Sequence, residues 1–202
     1  MGEISGIVLA GGQSTRLQRD KTLLRLDDEW LLESIVNLLA ALSDDVLVVT
    51  NSRDKFTDLQ ARPVLDSRPG MGPLGGIYSG LQAMRCERGL FLACDMPFLR
   101  PDFLQYLVQL SAGFDVVIPR IGCNTEPLQA TYNRACIEPI AAVLDHGERR
   151  VVSFFPRVRV RYVDEAEIDV FDPQRVSFLN INTPEDLHRA EQLLRRDQAA
   201  CH

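Results

Sequence analysis

Two glycines, Gly11 and Gly12, end an apolar run, and two cations follow them at Arg16 and Lys21, with Ser14 and Thr15 between. Glycines at the end of a strand let the backbone approach a bulky ligand. Free loop N–H groups, two hydroxyls and two fixed positive charges then make a cradle suited to a polyphosphate. An ordinary turn is the competing reading of the glycine pair taken alone. The spacing is not that of a P-loop, because no Gly-Lys-Ser/Thr follows, and it is not the dinucleotide-binding G-x-G-x-x-G. A second candidate is Asp95, which ends the apolar run Leu90-Phe91-Leu92-Ala93-Cys94. A charge at the end of a buried strand is costly unless something pairs with it. Asp95 either caps the next helix or holds Mg²⁺, which takes oxygen ligands and bridges phosphates. Arg100, Pro101 and Asp102 are better placed for the cap, which favours the metal.

These residues need a scaffold, and the apolar pattern supplies one. Ile7 to Ala10 reads as a buried strand, followed by a helix capped at Asp27 or Asp28 with Leu31, Ile35, Leu38, Leu39 and Leu42 on one face. A strand over Asp45–Thr50, a short helix near Phe56–Gln60 and a strand over Pro63–Leu65 come next. That alternation predicts a parallel sheet with right-handed crossovers, in which ligands bind beyond the carboxyl ends of the strands. Gly11, Gly12, Asn51 and Asp66 fall on that edge. A Gly/Pro-rich loop from Arg68 precedes a helix over Tyr78–Arg85. A helix over Phe103–Leu110, strands over Phe114–Pro119 and Glu126–Tyr132, and a helix over Arg134–Leu144 ending at a left-handed Gly147 follow. Arg157, Arg159 and Arg161 alternate with valines, as on the solvent face of a half-exposed strand. Thr183 and Pro184 open a last helix, with acids in its first turn, that runs to about Arg196 and leaves residues 197–202 as a frayed tail. This capping does not account for Asn180 and Asn182, which share one face of a strand end.

Composition narrows the function classes. The chain has 202 residues, 46% of them apolar, enough for one domain with a real core and too many for a disordered chain. A formal charge of −6 argues against nonspecific nucleic-acid binding, so the useful cations must be clustered. No apolar run is long enough to cross a membrane and the N-terminus enters a strand without a secretory pattern, so a cytoplasmic location without membrane association is expected. Five cysteines without a C-x-x-C suggest neither a disulfide framework nor a zinc site, and the three histidines are scattered.

The stretch Leu9-Ala10-Gly11-Gly12 with Arg16-Leu17 and Asp20-Lys21 resembles the signature loop of the nucleotidyltransferases, and within them the MobA-type molybdenum cofactor guanylyltransferases; Gln18 stands where that pattern usually has glycine. Gly72-Pro73-Leu74-Gly75-Gly76 resembles the family's G-P-L-x-G element, Cys94-Asp95-Met96-Pro97-Phe98 its metal-binding aspartate, Glu126-Pro127-Leu128 its acceptor strand, Gly147-Glu148-Arg149-Arg150 its basic element, and Asn180-Ile181-Asn182-Thr183-Pro184 its closing element. The resemblance implies a three-layer, Rossmann-like α/β fold with a mostly parallel central sheet. It implies a single domain over residues 1–196, with a nucleotide-binding half to about residue 100 and an acceptor-binding half after it. GMP transfer from GTP to the terminal phosphate of molybdopterin, with Mg²⁺ as cofactor, is the implied reaction. Arg16, Lys21 and Asp95 are then catalytic, with Asp95 the metal ligand. Leu9, Ala10, Gly11, Gly12, Lys21, Asn51, Asp66, Gly72, Pro73, Leu74, Gly75 and Asp95 bind nucleotide, and Arg149, Arg150, Asn180 and Asn182 bind the acceptor. For Arg149-Arg150 a solvated basic pair is the competing reading. A monomer is expected, with the molybdenum insertase and molybdoenzyme chaperones as implied partners. A cytidylyltransferase, a sugar-phosphate nucleotidyltransferase and a non-catalytic GTP-binding regulator are the alternatives.

Overall fold

The structure, a computed structural model, describes residues 4–11, 24–26, 29–52 and 59–200. Apolar strands buried on both faces build its centre. The strands are β1 (Ser5–Leu9), β4 (Val46–Thr50), β5 (Arg62–Leu65), β6 (Arg88–Ala93), β7 (Val116–Ile121), β9 (Gln129–Asn133) and β10 (Val160–Val163), in the order β10-β7-β9-β6-β1-β4-β5. β1 pairs in parallel with β4 and β6, β4 with β5, and β7 with β10. β9 is antiparallel to both its neighbours, because β7 reaches it through a tight excursion at Gly122 and the two-residue β8 (Asn124–Thr125) rather than through a crossover helix. A separate hairpin, β2 (Arg25–Leu26) with β3 (Glu29–Trp30), stands off the sheet, Arg25 stacked 4.3 Å over the Trp30 ring.

Side chains alternate across the sheet and make two cores. Val8, Val48, Leu90, Leu92, Val117 and Val163 face α1 (Leu31–Ala40), α3 (Pro101–Leu110), α5 (Glu165–Phe171) and α6 (Pro184–Ala200). Ile7, Leu9, Leu47, Val49, Phe91 and Tyr132 face α2 (Gly72–Ala83), α4 (Ile137–Asp145) and a 3₁₀ turn over Val151–Arg157. Three layers with a mostly parallel, centrally buried sheet result, as expected for runs that are apolar on both faces. Gly80 sets how close α2 lies: a β-carbon there would come within 2.7 Å of the Phe91 ring and 3.0 Å of Ile7.

Several boundaries differ from the sequence-based expectation. α1 begins at Leu31 with Trp30 as its N-cap, after β3; the expected caps, Asp27 and Asp28, lie outside the described residues. The helix expected near Phe56–Gln60 falls mostly outside the described residues. α2 begins at Gly72, six positions before the expected Tyr78: burial of Leu74, Ile77 and Leu81 overrides the poor propensity of its glycines, and Pro73 suits a first turn. Asn180 and Asn182 belong to no strand; they follow a 3₁₀ turn over Val176–Phe178. Arg159 and Arg161 are not a bare solvent face, for Arg159 pairs with Asp115 at 3.2 Å and Arg161 with Glu167 at 2.7 Å. α6 continues to Ala200, through most of the expected tail. Gly147, at φ 80°, ends α4 as anticipated. No disulfide joins Cys86, Cys94, Cys123 and Cys136 to one another, and no described helix is long and apolar enough to cross a membrane.

Candidate active site

The carboxyl ends of β1, β4, β5 and β6 open into a pocket of about 650 Å³. Leu9 and Gly11 come from β1, Val49 and Asn51 from β4, Asp66 from β5, and Ala93, Cys94 and Asp95 from β6. Gly70, Gly72, Pro73 and Gly76 close it from the start of α2, and Leu128 from the approach to β9. No acidic side chain occupies the first turn of α2 and none caps it, so its free N–H groups and the positive end of its dipole remain for an anion. Leu9 lies beneath Gly76, where a β-carbon would sit 3.0 Å from it.

Asn51 lies beside Gly11: a β-carbon on Gly11 would stand 3.6 Å from the Asn51 amide nitrogen. Asp66 is oriented by neighbours rather than left to swing. Its Oδ1 accepts the Arg68 N–H at 2.9 Å and the Ser79 hydroxyl at 2.8 Å. Ser79, buried in α2, in turn accepts the Ser67 N–H at 2.9 Å. That leaves Oδ2 as the Asp66 oxygen without a protein donor in this network, on a residue that lines the pocket.

Asp95 is 6% exposed. Its carbonyl oxygen accepts the Ile181 N–H at 2.9 Å, which draws the Asn180–Asn182 segment to the end of β6. Two clamps shape that segment. Asp172, buried, takes the N–H groups of Val176 and Ser177 at 3.2 and 2.8 Å; Asp186 takes those of Asn182 and Thr183 at 3.0 and 2.9 Å. Among the described residues no three of His, Cys, Asp and Glu cluster as a protein cage for an ion. One buried carboxylate in a pocket roomy enough for a nucleotide's phosphates nonetheless fits Mg²⁺, which retains water and substrate phosphates in its shell.

A second pocket, about 710 Å³, adjoins the first across Pro73, which lines both. Arg149 and Arg150 line it, brought there by the left-handed turn at Gly147, and neither is ion-paired within the described residues. Arg120 lines it too, stacked 4.7 Å over Tyr162 and paired with Asp164 at 2.8 Å. A basic hollow in an acidic protein suits an anionic group.

The structure therefore gathers Leu9, Gly11, Asn51, Asp66, Gly72, Pro73 and Asp95 into one pocket. Ala10 is buried at its edge, its N–H bound to the Val49 carbonyl. The Leu74 side chain is wholly in the core, and Gly75 packs against the Arg68 carbonyl, 2.7 Å from where a β-carbon would be. Arg149 and Arg150 occupy the other pocket, apart from Asn180 and Asn182, which lie by Asp95 and line neither hollow. Gly12, Arg16 and Lys21 lie outside the described residues.

Sequence reasoning passed over Arg120 and read Glu126 only as the start of the acceptor strand. Glu126 sits at the seam, between Thr125 and Pro127 of the second pocket and Leu128 of the first. Burial pushes its carboxyl up to about 7; the Leu128 N–H pulls it down and the Asp95 charge adds to the rise. Its sequence signal was the resemblance of Glu126-Pro127-Leu128 to the family's acceptor strand, with a charged residue at the mouth of a buried strand. A carboxyl raised from 4.5 in the unfolded chain to about 7 in the fold stabilises the protein fully below pH 4.5. That contribution is lost as pH rises through 7, because the folded state then gives up the extra proton. Glu126→Gln should therefore raise stability at pH 8 by about 1–3 kcal/mol relative to the parent and change little at pH 4. Denaturant midpoints at the two pH values test this; an equal shift at both would contradict it.

The model of the MobA-like NTP transferase domain family matches residues 6–161. A protein of Chloroflexus aggregans named "probable molybdenum cofactor guanylyltransferase" is 41% identical over 192 residues, covering 91% of each chain. The molybdenum cofactor guanylyltransferase of Desulfosudis oleivorans is 33% identical over 193 residues, covering 95% of this chain and 96% of its own. The crystal structure of molybdopterin-guanine dinucleotide biosynthesis protein A from Archaeoglobus fulgidus superposes with a TM-score of 0.84 at 28% identity, over 95% of this chain and 99% of that one.

Proposed function

From the premise that this chain belongs to the MobA-like NTP transferase family, we propose that it transfers GMP from GTP to the terminal phosphate of molybdopterin, with or without its molybdenum, and releases pyrophosphate. The product is molybdopterin guanine dinucleotide. One observation carries the assignment of parts: a pocket at the strand ends, holding Asp66 and Asp95, adjoins across Pro73 a second hollow lined by Arg149 and Arg150, which are not ion-paired among the described residues. Two anionic substrates need two such seats meeting at one point.

The reaction is an in-line displacement. An oxygen of the acceptor phosphate forms a bond to the α-phosphorus of GTP, and the bond from that phosphorus to the bridging oxygen breaks, its electron pair leaving with pyrophosphate. A phosphate monoester is anionic near neutral pH, so the attacking oxygen needs no general base, which suits pockets with no histidine among the described residues that line them. Catalysis then rests on positioning and on charge. Gly11, Asn51, Asp66 and the first turn of α2 hold the nucleotide. Arg16 and Lys21, on the signature loop, neutralise the triphosphate and the departing pyrophosphate. Arg149 and Arg150 hold the acceptor, and Asn180 and Asn182 orient it beside Asp95. A divalent cation on Asp95, Mg²⁺ in our reading, would supply further neutralisation of phosphate charge. The two halves of the sheet divide this work, residues to about 100 serving the nucleotide and those after it the acceptor.

Pyrophosphate release by the purified protein with Mg²⁺ and molybdopterin, compared across GTP, CTP, ATP and UTP, is the test. Release with GTP alone is expected. Release with CTP would keep the chemistry and overturn the base; GTP binding without release would leave a nucleotide-binding regulator.

A further inference from the structure

Arg175 is the one non-glycine among the described residues with a positive φ, at φ 55° and ψ 31°. A residue bearing a β-carbon stays in the left-handed region only where its surroundings over-determine it. The surroundings here are specific. Nε and Nη2 of Arg175 bond both oxygens of Asp169, at 2.9 and 3.1 Å, and Nη1 bonds Glu165 Oε2. All three guanidinium nitrogens are thus engaged with α5. The other Glu165 oxygen accepts the N–H of Gly122 at 2.9 Å, and Gly122 is in the β7–β8 turn that walls the arginine-lined pocket. Asp164, one residue earlier, pairs with Arg120 of the same wall.

The backbone of Arg175 leads the other way. Its N–H donates to the Asp172 carbonyl at 2.9 Å, and its carbonyl accepts the Phe178 N–H at 3.3 Å. This turn launches the segment that carries Asn180 and Asn182 and is pinned to the Asp95 carbonyl through Ile181. One short helix and one arginine therefore tie together the two acceptor-side pieces that lie in different places.

We propose that Arg175 and Glu165 are positioning residues, which hold the Gly122–Thr125 wall and the Asn180–Asn182 segment in one fixed relation so that the acceptor's anionic end meets Asp95 in register. The proposal rests on the reading of the second pocket as the acceptor seat. Scattered surface ion pairs contribute little; this set differs in ending on a backbone N–H at the pocket wall and in holding a left-handed residue. The Gly122 N–H first, and then Arg175, keep the Glu165 carboxyl below the usual carboxylate range.

Arg175→Gly tests it, because glycine adopts this backbone without strain while the whole side chain, guanidinium included, is removed. Glu165→Gln is the milder variant, keeping an oxygen for Gly122 and losing the charge. The expected result is a roughly tenfold higher KM for molybdopterin with Arg175→Gly, a smaller rise with Glu165→Gln, and an unchanged KM for GTP. Amide hydrogen exchange in the free protein should quicken together over residues 122–125 and 176–182. Equal rises in both KM values, an unchanged acceptor KM, or faster exchange in one segment alone would overturn the proposal. A wild-type protein inert toward molybdopterin would overturn the acceptor reading instead, while the exchange measurement still decides the mechanical link.

Discussion

Replacing Asp95 with alanine is expected to slow turnover by on the order of a thousandfold while the protein stays folded. Asp95 ends β6 inside the first pocket, 6% exposed, and the neighbouring Glu126 carboxyl already feels its charge. One structural bond at this residue, the carbonyl that accepts the Ile181 N–H, belongs to the backbone and survives any side-chain change. Asp95→Asn keeps size and polarity and loses the charge; if electrostatics carry the effect, it falls nearly as far as Asp95→Ala. Single-turnover rates, with melting temperatures as the control, decide the matter. A near-normal rate in Asp95→Asn would remove the carboxylate from the reaction.

The second large effect belongs to the basic hollow. Replacing both Arg149 and Arg150 with alanine should raise the KM for the acceptor by on the order of a hundredfold, since each charge-assisted bond to an anion contributes about 1.5–3 kcal/mol. Both side chains are exposed and unpaired within the described residues, so the fold should tolerate their loss. The KM for GTP should not move, because neither residue lines the first pocket, the proposed nucleotide seat. Raising the salt concentration should weaken acceptor binding in the parent more than in the double variant. Steady-state kinetics with each substrate varied in turn checks all three statements; parallel losses for GTP and acceptor would return the pair to the solvated surface.

The two effects draw on parts of the chain that were not equally legible. Asp95 was readable because a carboxylate after five apolar residues is an anomaly visible without any fold. Asn51 and Asp66 followed from the topology of a parallel sheet, which puts every strand's carboxyl end on one edge. The start of α2 was misread, although Leu74, Ile77 and Leu81 carry a helical spacing. Glycine and proline concealed it, and the burial that overrides their propensity is a tertiary matter. The acceptor side was the least legible. Its motifs assigned Arg149, Arg150, Asn180 and Asn182 to the acceptor without saying how they lie to one another; the fold sends the arginines to a hollow of their own and the asparagines to Asp95.

The amino-acid sequence by itself determined the alternating strands and helices, the two-faced burial of the sheet and the collection of Gly11, Asn51, Asp66 and Asp95 along one edge. Each of these depends on residue periodicity within a segment and on the handedness of a crossover, which are local properties. Only the tertiary structure decided the raised Glu126 carboxyl, the split of the acceptor residues, and the tie from Arg175 through Glu165 to Gly122. These depend on which segments become neighbours once β9 reverses direction and α5 folds beside β7. Desolvation, charge–charge distance and the sharing of a backbone N–H are properties of that adjacency, between residues tens of positions apart, and no pattern within a single segment encodes them.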